Sequence, residues 1–201
     1  MWQDSAYGEL GLSTDPVAFI KDADFEFENM PVKVVANRNN SQIELPGIKV
    51  GPFTEGKDYE VRFWVAKELE KAGIARLRVD EQIDVTVLNK IHWKEARVQT
   101  SQKLASLPDK FYPKLRHYLE ELNEEAIKKP EKRGDCEKAK KLFKDINTIR
   151  LKKIVSLASS PKTRSLTENL TKEERALYDY LFETINEWRN EILKKQGEDR
   201  T

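Results

Sequence analysis

The chain has 201 residues and a mass of 23.4 kDa, which leaves room for one large domain or two small ones. Charged residues make up 35% of the chain and hydrophobic residues 38%, so a modest core supports a large solvated surface. The formal net charge of +1 excludes a globally basic nucleic-acid binder, and a single cysteine with two histidines excludes a disulfide framework and a zinc finger.

Nothing in the sequence points to a membrane or to secretion. No apolar run approaches the roughly 20 residues that cross a bilayer. The first residues, MWQDSAYGEL, lack the basic and apolar regions of a secretory signal. We therefore expect a protein of the reducing cytoplasm.

Charge is unevenly distributed along the chain. Residues 1–31 contain seven acidic residues and one lysine, whereas residues 128–164 contain thirteen basic residues and four acidic ones. Within one molecule this separation favours contacts between the two signs. Between molecules it favours a partner with complementary patches.

The chain begins with a pattern typical of a strand. Phe25 and Phe27, followed by Val32 and Val34, alternate with polar residues. Pro31 interrupts this run and predicts either a break or a strand at the edge of a sheet.

A hairpin, a further strand and a first helix follow. The apolar runs 43–45 and 48–50 flank a Pro-Gly turn signal and predict the hairpin. Residues 59–63 alternate as in a half-buried strand, and a helical stripe over 63–69 stops at Gly73. We predict that residues 1–78 form a small β-rich domain with one helix.

The remainder, 79–201, is predicted to be helical, so the fold class is α+β with the β-rich domain first. One short helix is expected to carry the apolar residues Ile83, Val87, Leu88 and Ile91, with Asp80 or Asp84 as its cap. Another is expected to start at Leu107, with Pro113 in its first turn. A third helix is expected after a cap at Asp135.

The last predicted helix starts at a capping box, with Thr171 as the cap and Glu174 three residues later, and ends at Gln196-Gly197. The third and last helices carry wide apolar stripes that need neighbours, within the chain or across a subunit boundary.

The sequence holds no constellation typical of an enzyme. It contains none of the phosphate-binding, dinucleotide-binding, nucleophile-elbow or zinc-protease motifs. His92 and His117 lie on separate predicted helices without a carboxylate at ligand spacing, so we interpret them as helix-face residues. Cys136 lacks a neighbouring base, and Asp22 and Asp24 lack supporting ligands. The residues therefore predict no cofactor and no metal, and an enzyme such as a carboxylate-dependent nuclease that uses Asp22 or Asp24 stays open as an alternative.

The basic tract has three interpretations. A solvated helix face is favoured, and an acidic protein partner or a nucleic-acid backbone are the alternatives. No aromatic residues are interleaved for base stacking. The lysines that the alternatives would use are Lys138, Lys140, Lys141, Lys144, Lys152 and Lys153.

Four segments, in this order, resemble the GINS family of replication factors. The run IKVGPFTEGKDYEVRFWVAKEL (48–69) is similar to the segment that precedes the helical domain in that family. The segments LASLPDKFYPKLRHYLEEL (104–122), DINTIRLKKI (145–154) and NLTKEERALYDYLFETINEWR (169–189) are similar to family helices. Arg62 stands where the family often has proline.

The resemblance implies a non-enzymatic scaffold in DNA replication. The β domain comes first, as in partner-of-Sld-five subunits two and three and their archaeal counterpart. Two copies would join two copies of the helical-domain-first subunit in a heterotetramer. That assembly would bind the MCM helicase and a RecJ-like protein, near the nucleoid or, in a eukaryote, in the nucleus.

On this interpretation the apolar stripes form subunit interfaces and the β domain docks on the helical domain or on a neighbour. The docking candidates are Gly51, Pro52, Phe53 and Trp64. The subunit-interface candidates are Leu142, Phe143, Ile146, Ile149, Leu177, Leu181, Ile185 and Trp188. A DNA-binding module that uses the 128–164 tract is the alternative function.

Overall fold

The computed structural model of the chain describes residues 15–45, 47–78, 83–97, 103–160 and 167–194. The strands are short and lie in the first part of this range: β1 Pro31–Ala36, β2 Ile43–Leu45, β3 Ile48–Val50, β4 Asp58–Arg62 and β5 Ala75–Leu77. The helices are α1 Pro16–Asn29, α2 Phe63–Lys71, α3 Val85–Arg97, α4 Phe111–Lys128, α5 Arg133–Ala158 and α6 Lys172–Lys194. The predicted α+β class, with the sheet region first and a mostly helical remainder, is confirmed.

The chain divides into two compact units. One, the sheet unit, comprises residues 23–93 and 108–146. The other, the α6 unit, comprises residues 1–22, 94–107 and 147–201. Helices α1, α3 and α5 each contribute residues to both units.

Strand β1 is the centre of a three-stranded antiparallel sheet in the order β4-β1-β5. Val32, Val34 and Ala36 point into the core of the sheet unit, whereas the residues between them are more exposed. Pro31 is the first residue of this central strand, where it costs little because a missing N–H is tolerated at a strand end.

The predicted strand around Phe25 and Phe27 is wrong, because both residues lie on α1. Phe27 is buried against Phe63, with 4.5 Å between the ring centroids, while Phe25 is 70% exposed. Two aromatic residues in an i, i+2 relation on opposite sides of a helix imitate the alternation of a strand.

The hairpin and the helix end were predicted correctly. Strands β2 and β3 pair antiparallel around Gly47, whose φ of +78° is available to glycine at low cost. Helix α2 starts directly after β4 and is followed by Gly73 at φ +66°. Gly73 provides the left-handed conformation that commonly ends a helix.

The start of α3 is capped by Asp84, whose Oδ1 accepts a bond of 2.7 Å from the Val87 N–H. This confirms one of the two predicted caps. Asp80 lies outside the described residues, as does the predicted end of the last helix at Gln196-Gly197.

Helix α5 begins at Arg133, two residues before the predicted cap Asp135. A short 3-10 turn at Pro130–Lys132 leads directly into it, so Gly134 lies inside the first helical turn and Asp135 does not cap the helix. Pro113, by contrast, occupies the first turn of α4 as predicted.

The α6 unit has its own apolar core between α5 and α6. Its buried members are Leu104, Ile154, Leu157, Ala158 and Tyr178. The predicted capping box is confirmed: the Glu174 N–H donates to Thr171 Oγ1 at 3.2 Å, and the Thr171 N–H donates to Glu174 Oε2 at 3.0 Å. Within the part of the chain that the structure describes, no helix has the length and apolarity of a membrane span.

Candidate functional site

The last two turns of α6 expose apolar side chains. Trp188 is 64% exposed, Ile192 48% and Leu193 63%. Trp188 and Ile192 continue the three- and four-residue spacing of Leu181 and Ile185, which pack on the core of the α6 unit. We call Trp188, Ile192 and Leu193 the α6 apolar end.

A contact between α6 and the residue that follows α5 lies beside this surface. The Arg189 guanidinium donates a bond of 2.6 Å to the carbonyl of Ser159, the first residue after α5. From Asn190 to Lys194 every described residue is exposed. Within the part of the chain that the structure describes, the apolar stripe of α6 therefore continues into residues that are exposed.

Four charged residues at the other end of α6 are buried together. Glu95, Arg150, Lys153 and Glu174 are 0%, 0%, 7% and 4% exposed. All four belong to the α6 unit, and we call them the buried ion cluster. Two acidic and two basic groups give it no net charge.

Arg150, on α5, is the centre of this cluster. Its Nε and Nη2 donate to the two carboxylate oxygens of Glu174 at 2.5 and 2.7 Å. Nη1 donates to Glu95 Oε1 and to the Ala105 carbonyl, and Nη2 also reaches the Asn169 carbonyl at 3.1 Å. These bonds use all five N–H groups of a guanidinium.

Glu95, on α3, joins the remaining groups. Its Oε1 also accepts the Ala105 N–H at 3.0 Å, and its Oε2 accepts Lys153 Nζ at 2.6 Å. Among the described residues, no buried side-chain nitrogen or oxygen lacks a hydrogen-bond partner. The cost of burying these charges is therefore offset by complete pairing.

Sequence reasoning missed Glu95, Arg150 and Glu174 as a functional group. The signal was present: Arg150 and Lys153 stand at stripe positions between Ile146 and Leu157, where the spacing of three and four requires buried side chains. A charged residue on an apolar stripe predicts a buried partner of opposite sign.

The lysine row is smaller than predicted. Lys153 is buried against Glu95, so its assignment to the solvated face of α5 is wrong. Lys140 is exposed and donates to Asn123 Oδ1 at 3.0 Å. The other exposed lysines of the row are Lys138, Lys141, Lys144 and Lys152.

The subunit-interface candidates fall into three groups. Ile146 is fully buried inside the chain, so it is a core residue and not an interface residue. Trp188 is exposed as an interface residue must be. The remaining candidates are half-buried: Leu142, Phe143, Ile149, Leu177, Leu181 and Ile185.

The β-domain docking candidates do not make the contacts with α4. Phe53 lies in the core of the sheet unit, edge-on to Tyr59 at 4.9 Å, which corrects its assignment as a docking residue. Gly51 and Pro52 are exposed, and Trp64 is 36% exposed.

Instead, an aromatic contact and three ion pairs join α1 and α2 to α4 and to the residue that precedes it, within the sheet unit. His117 lies 4.8 Å from the Phe63 ring and 5.6 Å from the Phe27 ring. The ion pairs around it are Asp24 with Arg116, Glu26 with Lys110, and Lys67 with Glu121. Two acidic residues of the block 1–31, Asp24 and Glu26, therefore make contacts with basic residues of the same chain, as the uneven charge favours.

These contacts shift two pKa values. Burial of Lys67 opposes its charge, but hydrogen bonds to Glu121 and Glu70 outweigh burial and raise the pKa of Lys67. Burial, together with the charge of Asp84, raises the pKa of Tyr118. Both groups line a cleft of about 190 Å³ beside Phe63 and His117.

Comparison with known families assigns both parts of the sequence. Residues 82–193 match the family model described as the GINS complex protein helical bundle domain. Residues 20–78 match the model described as the PSF2 N-terminal domain. No curated protein matches the chain.

Proposed function

The chain belongs to the GINS family as a subunit related to PSF2, and from this premise we propose that it is a non-enzymatic scaffold that holds the replicative helicase in its active form. Membership of the GINS complex places it in DNA replication, with other GINS subunits as partners. The scaffold role requires surfaces that bind other chains and no reaction chemistry.

The α6 apolar end is the observation that carries this proposal. Three large apolar side chains on two helical turns are exposed, although their stripe is the one that packs on α5 earlier in the helix. Tryptophan is enriched among residues that dominate binding energy at protein interfaces. A helix from another GINS subunit supplies the complementary apolar stripe.

In the proposed assembly this chain and the helical-domain-first GINS subunit are present in two copies each. The complex then binds the MCM helicase and a RecJ-like protein. We also propose that the division between the β-rich and helical domains lies near residue 78.

The test is co-expression with the helical-domain-first subunit from the same organism, followed by native mass measurement. We expect a complex with two copies of each chain. Trp188→Glu together with Ile192→Glu is expected to abolish it, because each carboxylate would have to be desolvated at the interface. A wild-type chain that stays monomeric beside the other subunit contradicts the proposal.

The matched control is Ile127→Glu on α4. Ile127 is 74% exposed, so the control makes the same chemical change at a surface outside the proposed interface. We expect it to leave the native mass of the complex unchanged. Stimulation of MCM unwinding by the complex, lost in the Trp188 and Ile192 double variant, tests the helicase role.

A second candidate function is binding to a nucleic-acid backbone. The exposure of Lys138, Lys141, Lys144 and Lys152 on α5 supports it, since exposed lysines attract phosphate without reading bases. Its test is binding to duplex DNA across a range of salt concentrations.

A further inference from the structure

We propose that the buried ion cluster is a positioning device that fixes the direction of α6, and so determines where the α6 apolar end is presented to a partner. This inference rests on the proposed function, in which that end contacts another GINS subunit. It assigns a joint role to four residues, of which the sequence motifs explain only the cap that Glu174 forms with Thr171.

The cluster joins α3, α5, the segment before α4 and the start of α6. Arg150 lies on α5 and Glu95 on α3, and both bind Ala105 in the segment before α4. Glu174 lies in the first turn of α6, and the Asn169 carbonyl belongs to the turn before it. A change in the angle of α6 would therefore break several bonds at once.

The chemistry of Glu174 makes this connection directional. Its carboxylate closes the capping box with Thr171 and also accepts two parallel bonds from Arg150. A bidentate pair fixes the relative orientation of two planar groups as well as their separation. The Glu174 carboxylate thus connects the start of α6 both to its own cap residue, Thr171, and to Arg150 on α5.

Stability alone does not account for such a cluster. Buried ion pairs can often be replaced by apolar residues of similar volume without loss of stability, because desolvation offsets much of the attraction. Apolar packing between α5 and α6 is non-directional and supplies stability without fixing an angle. What charged partners add is a defined arrangement.

The length of α6 turns a small angular error into a large displacement. Trp188 lies fourteen residues after Glu174, which is about 21 Å along the helix axis. Packing angles between helices scatter by about 20°, and a tilt of that size at Glu174 would move Trp188 by roughly 7 Å. Such a displacement would remove Trp188 from a fitted interface pocket.

The test variant removes all four charges at once: Glu95→Leu, Arg150→Met, Lys153→Met and Glu174→Met. Spin labels at Val155→Cys and Glu191→Cys, on a Cys136→Ser background, report the distance between α5 and the end of α6 without any partner. Wild-type labels are expected to give one narrow distance distribution. The quadruple variant, folded by circular dichroism and thermal melting, is expected to give a distribution at least twice as wide.

Binding to the helical-domain-first subunit is measured in parallel. We expect the quadruple variant to bind at least tenfold more weakly at a temperature where it is fully folded. Glu183→Met, an exposed substitution on α6, is the control and is expected to change neither the distance distribution nor the affinity.

The outcomes separate this inference from the proposed function. If the wild-type chain does not bind the other subunit, the proposed function fails, while the label distances still decide the positioning role. If the folded quadruple variant keeps a narrow distribution and wild-type affinity, the positioning role is overturned and the proposed function stands.

Arg150→Lys decides the matter if the quadruple variant does not fold. Lysine keeps the charge but offers three donors where arginine offers five. A folded Arg150→Lys chain with a broadened distribution supports the proposal, and one with an unchanged distribution overturns it. If neither variant folds, the cluster is a requirement of folding and the positioning role is rejected.

Discussion

A single residue, Arg150, connects several segments of the α6 unit through hydrogen bonds. Its five donors meet two carboxylates and two backbone carbonyls in a fully buried setting. Lysine cannot reproduce this planar, branched set of donors. We predict that Arg150→Lys destabilises the chain by about 2–4 kcal/mol, because it leaves buried acceptors without partners.

Urea unfolding followed by circular dichroism measures this difference. The control is Lys152→Arg, two positions along the same helix and exposed to solvent. An exposed exchange of one cation for another is expected to change the free energy of unfolding by less than about 0.5 kcal/mol. Equal effects of the two substitutions would contradict the central role of Arg150.

The stability of the sheet unit is expected to fall at alkaline pH because of Lys67. Its pKa is raised in the folded chain by Glu121 and Glu70, which outweigh its burial, so the folded state binds the proton more tightly than the unfolded state. The stability it contributes is complete below the unfolded pKa of about 10.4 and is lost as the pH rises through the folded value. Tyr118, whose pKa is also raised, acts with the same sign above about pH 10.

We predict that the melting temperature of the wild-type chain falls more steeply above about pH 10 than that of Lys67→Met. Thermal melts of both proteins from pH 8 upward check this, and their difference cancels the titration of the other lysines and tyrosines. If the melting temperatures of the two proteins fall in parallel over the whole pH range, the titration of Lys67 does not affect stability.

At the scale of single residues, local signals were reliable and long-range partners were not. The capping box of Thr171 and Glu174 was read from four consecutive residues, and both of its bonds are present. The second role of Glu174, as partner of Arg150, depends on a contact 24 positions away that no local pattern encodes. The burial of Lys153, by contrast, was signalled by its position on the apolar stripe of α5, although its partner Glu95 was not.

At the scale of elements, the sequence predicted the parts whose boundaries are marked by turn chemistry. Gly47 and Gly73 mark the hairpin turn and the end of α2, and both were identified. Helix α1 was missed because Phe25 and Phe27, with the acidic Glu26 between them, suggested the alternation of a strand. A helix with a single buried residue, here Phe27, gives a weak periodic signal.

The two phenylalanines of α1 provide a matched pair of variants. Phe27 is 1% exposed and contacts the Phe63 and His117 rings, so Phe27→Ala is expected to destabilise the chain by about 3–5 kcal/mol through lost burial and a cavity. Phe25, two positions earlier, is 70% exposed, and Phe25→Ala is expected to cost less than about 0.5 kcal/mol.

Urea unfolding again gives the measurement, with both variants treated identically. A strand with both rings in the core would make the two substitutions similarly costly. A large effect of Phe25→Ala would therefore count against the helix and in favour of the alternation read from the sequence.

At the scale of the whole molecule, composition predicted contacts between acidic and basic segments but not which residues would make them. Two acidic residues of the front block form ion pairs at the start of α4: Asp24 pairs with Arg116 on the helix, and Glu26 pairs with Lys110, the residue that precedes it. The lysines of α5 keep a mostly exposed row. The sequence predicted that acidic and basic residues of this chain would contact each other. Which basic residues pair with Asp24 and Glu26 depends on the packing of α1, which the charge pattern does not encode.

The exposed lysines of α5 either bind the phosphates of DNA or form a solvated surface, and the salt dependence of DNA binding distinguishes the two. Each lysine that neutralises a phosphate releases counterions, so the logarithm of the binding constant falls with the logarithm of salt by about 0.9 per contact on duplex DNA. We predict that the chain binds duplex DNA weakly at about 50 mM salt and not at about 200 mM.

Changing Lys138, Lys141 and Lys144 to glutamine is expected to lower the salt slope by about two to three and to leave the native mass of the GINS assembly unchanged. Fluorescence anisotropy with a labelled duplex measures the slope, and Lys33→Gln on β1, an exposed lysine of the sheet, is the control. If the triple variant and the control have the same slope, the α5 lysines do not contact DNA. The row is then a solvated face of α5, as the sequence analysis favours.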